Sequence, residues 1–135
     1  MNPVDLSVVI ITKNESSRIR ECLKSVEWAR EIILVDDEST DDTVAIAREF
    51  TDKITVRRME NEGRHRNAAY GMATRPWVFS LDADERVTPE LRDEIAALLA
   101  GTPEFDGYSV PRRNFVGKTW VKNGGMYPSA QFRLW

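Results

Sequence analysis

Short apolar runs alternate with segments of helical periodicity along the first hundred residues, and this alternation constrains the fold more than any other feature. Aliphatic and β-branched runs predict buried strands at 6–11, 32–35, 54–57 and 77–81. Apolar residues at helical spacing predict helices over 16–29, from about 39 to 50, over 64–73 and from 89 to 100. Thr88 and Pro89 are typical of a cap and first turn. The pattern predicts an α/β fold with a mostly parallel sheet flanked by helices.

The character of the chain changes after residue 105. Short strands separated by Gly and Pro turns are predicted at 108–110, 115–116, 120–121 and 131–134. We therefore expect one domain, with an α/β core over 1–105 and further strands over 106–135. Since the sequence stops at Trp135 within an apolar segment, we expect it to be a fragment of a longer protein.

Composition excludes several classes of protein. The chain has 135 residues, 41% of them hydrophobic, which suits one globular domain. A net charge of −3 argues against nucleic acid as the main partner, and no apolar run approaches the roughly 18 residues of a membrane span. One Cys and one His exclude a structural zinc site, and Cys22 is expected in the core. The N-terminus lacks the basic stretch of a signal peptide, so we expect a cytoplasmic protein.

Three carboxylates follow the fourth predicted strand within four positions: Asp82, Asp84 and Glu85. Like charges this close repel one another unless a cation or solvent relieves them. An Asp-x-Asp at the end of a buried strand therefore suggests a site for Mg²⁺ or Mn²⁺, which prefer oxygen ligands. A solvated loop that caps the next helix is the alternative.

Polar side chains follow two other predicted strands in the same way, at 12–15 and 36–39. Ligands of open α/β sheets bind beyond the carboxyl ends of the strands, so the three clusters predict one polar crevice. Helix capping is the alternative for Asn14, Ser39 and Asp41.

Glycine usage excludes two phosphate-binding motifs. No Gly precedes Gly63, whereas a P-loop or a dinucleotide fingerprint needs glycines after its first strand. A phosphorylated ligand would then need a metal to carry its charge. Arg64 and Arg66 offer positive charge near the acids or form an ordinary solvated helix start, and His65 is expected to be exposed.

Three segments together resemble the inverting family 2 glycosyltransferases of GT-A fold. They are 6–15 (LSVVIITKNE), 33–43 (ILVDDESTDDT) and 82–85 (DADE), and their order and spacing match along essentially the whole chain. Residues 63–67 and 108–113 are similar to the subgroup that contains lipopolysaccharide-core β-glucosyltransferases.

This resemblance implies a nucleotide-sugar-binding domain, with 1–105 as the donor-binding core and 106–135 as the start of the acceptor-side strands. It implies transfer of a sugar from a nucleotide-diphosphate donor, a UDP-sugar, to the hydroxyl of a saccharide or lipid-linked acceptor. The expected process is the biosynthesis of cell-envelope polysaccharide. The full-length protein could then associate peripherally with the inner face of the membrane.

The resemblance also implies roles for individual residues. Those at the nucleotide sugar would be Thr12, Asn14, Glu15, Asp37, Arg66, Asn67, Asp82 and Ala83. Asp37 would accept a hydrogen bond from the base, and Asp84, with Asp82 beside it, would hold the Mg²⁺ or Mn²⁺. The catalytic base is an Asp or Glu further along in this family, but the chain has neither after Asp106. We therefore expect the base to lie beyond Trp135.

Three alternatives remain. Residues 33–38 also look like the acidic opening of a signalling receiver domain, although a complete strand–helix unit precedes them. A sugar-nucleotide pyrophosphorylase would need a glycine-rich loop after the first strand, and that loop is absent. A non-catalytic nucleotide-sugar-binding domain stays open because no base is visible.

Overall fold

A computed structural model describes residues 2–112, 115–116, 119–120 and 129–135, and the side chains of 2–110 and 133–135. The helices are α1 (Ile19–Lys24), α2 (Thr43–Ala47), α3 (Glu62–Tyr70) and α4 (Pro89–Ala100). The strands are β1 (Val4–Thr12), β2 (Ala29–Asp36), β3 (Ile54–Val56), β4 (Trp77–Asp82), β5 (Tyr108–Arg112), β6 (Phe115–Val116), β7 (Thr119–Trp120) and β8 (Ser129–Leu134).

Six of these strands form one mixed sheet in the order β3-β2-β1-β4-β8-β5. Strands β1 to β4 run parallel to one another, whereas β8 runs antiparallel to both β4 and β5. Strands β6 and β7 form a separate antiparallel pair. This sheet confirms the predicted α/β class with a mostly parallel sheet.

The register brings the ends of the three central strands to one level. Thr12 pairs with Asp36, and the preceding residue of β1, Ile11, pairs with Asp82. Here we call this edge of the sheet, where β1, β2 and β4 end, the carboxyl edge. The three polar clusters that follow these strands therefore start side by side.

Both faces of the central strands are covered. On one face, Leu6, Val8 and Ile10 belong to a core that also holds Cys22 of α1 and Ile95 of α4. On the other face, Val9, Ile33 and Val35 pack with Ala69 of α3. This double burial explains why 8–11 in β1 and 32–35 in β2 are continuous apolar runs rather than alternating patterns. The predicted core position of Cys22 is confirmed, since its side chain has no exposed surface.

The predicted bounds of several elements are wrong. The first helix was expected to run to residue 29, but α1 ends at Lys24 and β2 already begins at Ala29. The second helix, α2, is also shorter than expected, and α3 covers 62–70 rather than 64–73. The fourth helix agrees with the expectation, and the hydroxyl of Thr88 accepts a hydrogen bond from the amide of Leu91. Val121, at the end of one predicted strand, lies outside the described residues.

Within the described ranges, no helix combines the length and the apolar character needed to cross a bilayer. A groove of about 690 Å³ lies at the amino end of β2, and Glu31, Asp52 and Lys53 are among the residues that line it. This groove is on the opposite edge of the sheet from the three polar clusters, and it is wide open to solvent.

Candidate functional site at the carboxyl edge

The loops that follow β1 and β2 are tied together by side chains. The amide of Asn14 donates to Oγ of Ser39, and Oδ1 of Asn14 accepts from the amide of Thr40, both at 2.8 Å. Asn14 has a φ of 50° and Glu38 a φ of 48°, a region that Asn tolerates better than most residues. The two loops therefore form one unit.

Asp41 and Thr43 extend this connection and answer the question of helix capping. Asp41 accepts hydrogen bonds from the amides of Ser16 and Thr43 at 3.2 and 3.0 Å, and the Thr43 hydroxyl accepts from the amide of Glu15 at 2.9 Å. The bond from the Thr43 hydroxyl to Asp41 is the main reason that the pKa of Asp41 falls to about 2. The N-cap position of α2, Asp42, makes no side-chain capping bond. Asn14 and Ser39 therefore mainly connect the two loops, whereas Asp41 both connects them and accepts from the amide of the first residue of α2.

Asp37 is a nearly buried carboxylate at the end of β2, 5% exposed. Its Oδ1 accepts a hydrogen bond of 2.8 Å from the amide of Met59, and its Oδ2 lies 3.7 Å from Nζ of Lys13. The neighbouring Asp36 is fully buried and accepts from the amide of Ser39 at 2.7 Å. Asp36 is thus a structural acid, while Asp37 is placed where the loop after β3 meets the carboxyl edge.

Thr12 and His65 are buried polar residues on different elements of this edge. Thr12 is 3% exposed and His65 is 1% exposed, so the expectation of an exposed histidine is wrong. Neither Oγ1 of Thr12 nor either ring nitrogen of His65 has a hydrogen-bond partner within the described part of the chain. His65 is buried because it lies one helical turn before Ala69, on the face of α3 that packs against the sheet.

The acidic segment Asp82–Glu85, which we call the acidic loop, is surrounded by arginines. Oδ1 of Asp82 lies 3.6 Å from Nη2 of Arg66, and Oδ2 lies 3.8 Å from Nη2 of Arg133. Oδ2 of Asp84 lies 3.9 Å from Nη1 of Arg18. The guanidinium groups therefore offset part of the repulsion between the carboxylates. The sequence alone had indicated a metal ion or solvent in this role.

Each of these arginines has a stronger anchor of its own. Arg18 holds both carboxylate oxygens of Glu15 at 2.8 Å. Burial opposes the charge on Arg66, but hydrogen bonds with Tyr70 and Glu62 outweigh it and raise the pKa of Arg66. The carboxylates of Asp82 and Asp84 therefore lie at ion-pair distance from these arginines, but no described residue donates a hydrogen bond to them.

The exposure of Asp82 and Asp84 suits a metal that is also bound by its substrate. Their side chains are 36% and 49% exposed. No group of three or more His, Cys, Asp or Glu side chains within the described ranges is arranged to hold a metal ion. Two carboxylates fit Mg²⁺, which usually takes one or two protein carboxylates and completes its shell with phosphate oxygens and water.

Not every residue expected at the site has a visible part in it. Ala83 belongs to the acidic loop, but its side chain is buried in the core, 4% exposed. Asn67 is exposed on α3, and its side chain makes no hydrogen bond within the described ranges. Arg113, part of the subgroup resemblance, lies outside the described residues.

Sequence reasoning missed the arginines Arg18 and Arg133. The available signal for Arg133 was its position between the apolar residues Phe132 and Leu134 of β8, because a charged residue that becomes buried requires a partner. No comparable signal exists for Arg18, whose partners include a carboxylate 66 positions away, Asp84.

Cys22 lies directly under the acidic loop, with its Sγ 3.6 Å from the carbonyl oxygen of Asp82. Burial raises the pKa of the Cys22 thiol to about 12, and the carboxylates of Glu85, Asp84 and Asp82 act in the same direction. This thiol is therefore an inert packing residue.

Residues 7–134 match the family described as Glycosyl transferase family 2. The chain is 35% identical over 116 residues to the lipopolysaccharide core biosynthesis glycosyltransferase LpsC of Rhizobium meliloti (strain 1021), which covers 82% of this chain and 43% of LpsC. The chain spans less than half the length of the curated relatives it matches.

Solved structures share the fold. Staphylococcus aureus TarS 1–349 in complex with UDP is 29% identical, with a TM-score of 0.59 over 72% of this chain and 32% of that one. The mannosyltransferase PcManGT of Pyrobaculum calidifontis, in complex with GDP-Man and Mn²⁺, is 24% identical, with a TM-score of 0.62 over 83% of this chain and 37% of that one. The second likeness is one of fold alone.

Proposed function

Because the chain belongs to glycosyl transferase family 2, we propose that it binds the donor of a sugar transfer. The donor would be a nucleotide-diphosphate sugar, a UDP-sugar, and the sugar would pass to an acceptor hydroxyl with inversion. The observation that carries this proposal is the alignment of three strand ends, which places Asp37 and the acidic loop on one edge of the sheet. The family membership excludes the alternative of a signalling receiver domain.

We assign the nucleoside to the crevice beside Asp37. The Asp37 carboxylate is held by the Met59 amide and lies near Lys13, so its orientation is fixed before a ligand arrives. A fixed carboxylate can accept a hydrogen bond from the imino N–H of a base such as uracil at little cost in ordering. The loop unit of Asn14, together with Thr12 and Glu15, would line the pocket mainly by its shape, since Asn14 and Glu15 already have partners.

We assign the diphosphate to the space between the acidic loop and α3. Asp82 and Asp84 would hold Mg²⁺ or Mn²⁺, and the bound ion would supply charge neutralisation for the departing diphosphate. Arg66 is one third exposed and lies 3.6 Å from Asp82, so it would contribute positive charge beside the diphosphate. Asn67 follows it on α3 and would border the donor. TarS supports the assignment of a diphosphate-containing donor to this chain, since its structure contains UDP.

The reaction also requires a group that takes the proton from the acceptor hydroxyl. Glu15 and Glu85 each contact an arginine through both carboxylate oxygens, so neither carboxylate is directed toward an acceptor hydroxyl. No Asp or Glu follows Asp106. We therefore propose that the base lies outside this sequence, together with most of the site for a saccharide or lipid-linked acceptor. We also propose that the full-length protein works at the cytoplasmic side of the membrane.

A thermal-shift panel of nucleotide-diphosphate sugars, each with and without Mn²⁺, tests the proposal. We expect a UDP-sugar with Mn²⁺ to raise the melting temperature more than the sum of the two separate effects, because each ligand completes the site of the other. The absence of a shift with every nucleotide sugar, with or without metal, would contradict donor binding. In the full-length protein, which would include the base, release of UDP in the presence of an acceptor extract would distinguish a transferase from a non-catalytic binding domain.

A further inference from the structure

A buried arginine of strand β8 reaches the acidic loop. Arg133 is 8% exposed, and its Nη1 donates a hydrogen bond of 3.1 Å to the carbonyl oxygen of Ser80. Its guanidinium also contacts both carboxylate oxygens of Glu85, at 2.8 and 2.9 Å. Contact of a planar guanidinium with both oxygens fixes the orientation of the carboxylate as well as its distance.

Glu85 in turn fixes the first residue of the acidic loop. Its Oε1 accepts a hydrogen bond of 2.9 Å from the amide of Asp82, and its own amide donates to the carbonyl oxygen of Asp82 at 2.9 Å. The backbone from Asp82 to Glu85 is thus closed into a turn that is held by the Glu85 side chain. The orientation of that side chain depends on Arg133, which follows 48 residues later.

We infer that Arg133 is a positioning residue for the metal-binding acids and that it acts through Glu85. The inference rests on the proposed function, in which Asp82 and Asp84 hold the metal. Arg133 itself is too buried to serve as a diphosphate ligand, and its distance of 3.8 Å from Oδ2 of Asp82 exceeds a hydrogen bond. Strand β8, in the acceptor-side part of the chain, is therefore required for the geometry of the donor site.

The pair Arg20 and Glu49 provides a matched control. Arg20 also holds both oxygens of a glutamate, at 3.1 and 2.8 Å, but this pair joins α1 to the end of α2 on the surface. The substitution Arg20→Lys therefore removes the same kind of contact without touching the acidic loop.

The first experiment measures Mn²⁺ affinity in the presence of UDP, from the free-Mn²⁺ signal in electron paramagnetic resonance. Arg133→Lys and Glu85→Gln should each weaken Mn²⁺ binding at least tenfold, the usual effect of losing a residue that orients a metal ligand. The double variant should lose no more Mn²⁺ affinity than the more strongly affected single variant, because both substitutions break the same chain of contacts. Arg20→Lys should bind as the unsubstituted protein does.

The second experiment needs no metal and uses Cys22, the single cysteine of the chain, as a probe. Its Sγ lies against the carbonyl oxygen of Asp82, so a loosened acidic loop should expose it. Arg133→Lys and Glu85→Gln should speed labelling by a thiol reagent at least fivefold, with a rate that is independent of low urea concentrations. That independence separates local opening of the loop from general destabilisation, in which labelling accelerates with urea.

The outcomes separate the two proposals. If the unsubstituted protein binds Mn²⁺ with UDP, but Glu85→Gln and Arg133→Lys bind and label as Arg20→Lys does, the positioning role is wrong and the proposed function stands. Additive losses in the double variant would also overturn it, since Arg133 would not be acting through Glu85. If the unsubstituted protein binds no Mn²⁺ with UDP, both the metal assignment and this inference fail.

Discussion

Nη2 of Arg66 lies 3.6 Å from Oδ1 of Asp82, so helix α3 presents a positive charge directly to the first acid of the acidic loop. Within the proposed site this charge has two opposite effects. It competes with a metal for Asp82, and it attracts the diphosphate. The contact is half-exposed and longer than a hydrogen bond, so its own contribution to stability is small.

Removing this arginine should therefore change two affinities in opposite directions. In Arg66→Gln, Mn²⁺ alone should bind about two- to fivefold more tightly, while UDP in saturating Mn²⁺ should bind about tenfold more weakly, as expected for a lost charged contact. Arg64→Gln, an exposed arginine on the same helix, is the control. Isothermal titration calorimetry measures both affinities. A parallel change of both in Arg66→Gln would show that the arginine does not lie between metal and diphosphate.

The assignment of Asp37 to the base pocket predicts that its substitution weakens only the binding of the nucleoside part of the donor. Asp37→Ala should weaken UDP binding by about 1–3 kcal/mol, the usual cost of a lost charged hydrogen bond. Asp52→Ala, an exposed acid in the groove at the opposite edge, should have no effect. Chemical shifts titrated with uridine alone provide the measurement. Unchanged uridine affinity in Asp37→Ala would remove Asp37 from the base pocket.

The loop unit predicts a difference between two substitutions of one residue. Asn14→Ala should lower the free energy of unfolding by about 1–2 kcal/mol, because alanine is strained at a φ of 50° and cannot accept the hydrogen bond of Thr40. Asn14→Gly removes the same bond but relaxes the backbone, so it should cost less. Urea denaturation of both variants tests the order. A larger loss of stability for Asn14→Gly than for Asn14→Ala would contradict the idea that backbone strain at this position determines the cost of substitution.

Glu31 predicts an acid-sensitive part of the fold away from the site. Burial opposes its ionisation, but hydrogen bonds from Lys53, Ser7 and Thr74 outweigh burial and lower the pKa of Glu31 to about 2, from 4.5. A lowered folded pKa gives stability that is present above pH 4.5 and is lost as the pH falls toward 2. Urea denaturation between pH 6 and 2.5 should show this loss.

The variant Glu31→Gln isolates that effect. It should be about 1–3 kcal/mol less stable at pH 7 and should lose less stability than the unsubstituted protein as the pH falls. Glu27→Gln, an exposed neighbour, should behave as the unsubstituted protein. Parallel pH curves for Glu31→Gln and Glu27→Gln would contradict the assignment.

Local patterns were sufficient where the governing interactions are local. The cap and first turn of α4 follow from Thr88 and Pro89, and the apolar runs of β1 and β4 locate the strands whose ends form the site. The beginning of β2 could not be read in this way. Val26 and Ala29 continue a helical spacing, but pairing of Ala29 with Val4 and burial of Glu31 against Lys53 draw the segment into the sheet.

The site, like the fold, was predictable from the sequence only where its residues are neighbours in the chain. The acids stand next to each other in the sequence, so their cluster is visible there. The arginines that balance their charge come from α3, β8 and the start of α1, and no spacing rule predicts contacts across 48 or 66 positions. The burial of His65 was missed for a related reason, since it depends on which face of α3 meets the sheet.

The most direct test of the metal-binding role of the acidic loop is calorimetric titration of UDP in the presence of Mn²⁺. The proteins to compare are the unsubstituted chain, Asp84→Ala and Glu94→Ala, where Glu94 is an exposed acid on α4. We predict that Asp84→Ala abolishes the Mn²⁺-dependent part of UDP binding, while Glu94→Ala keeps it unchanged. Equal titrations for the two variants would contradict the account.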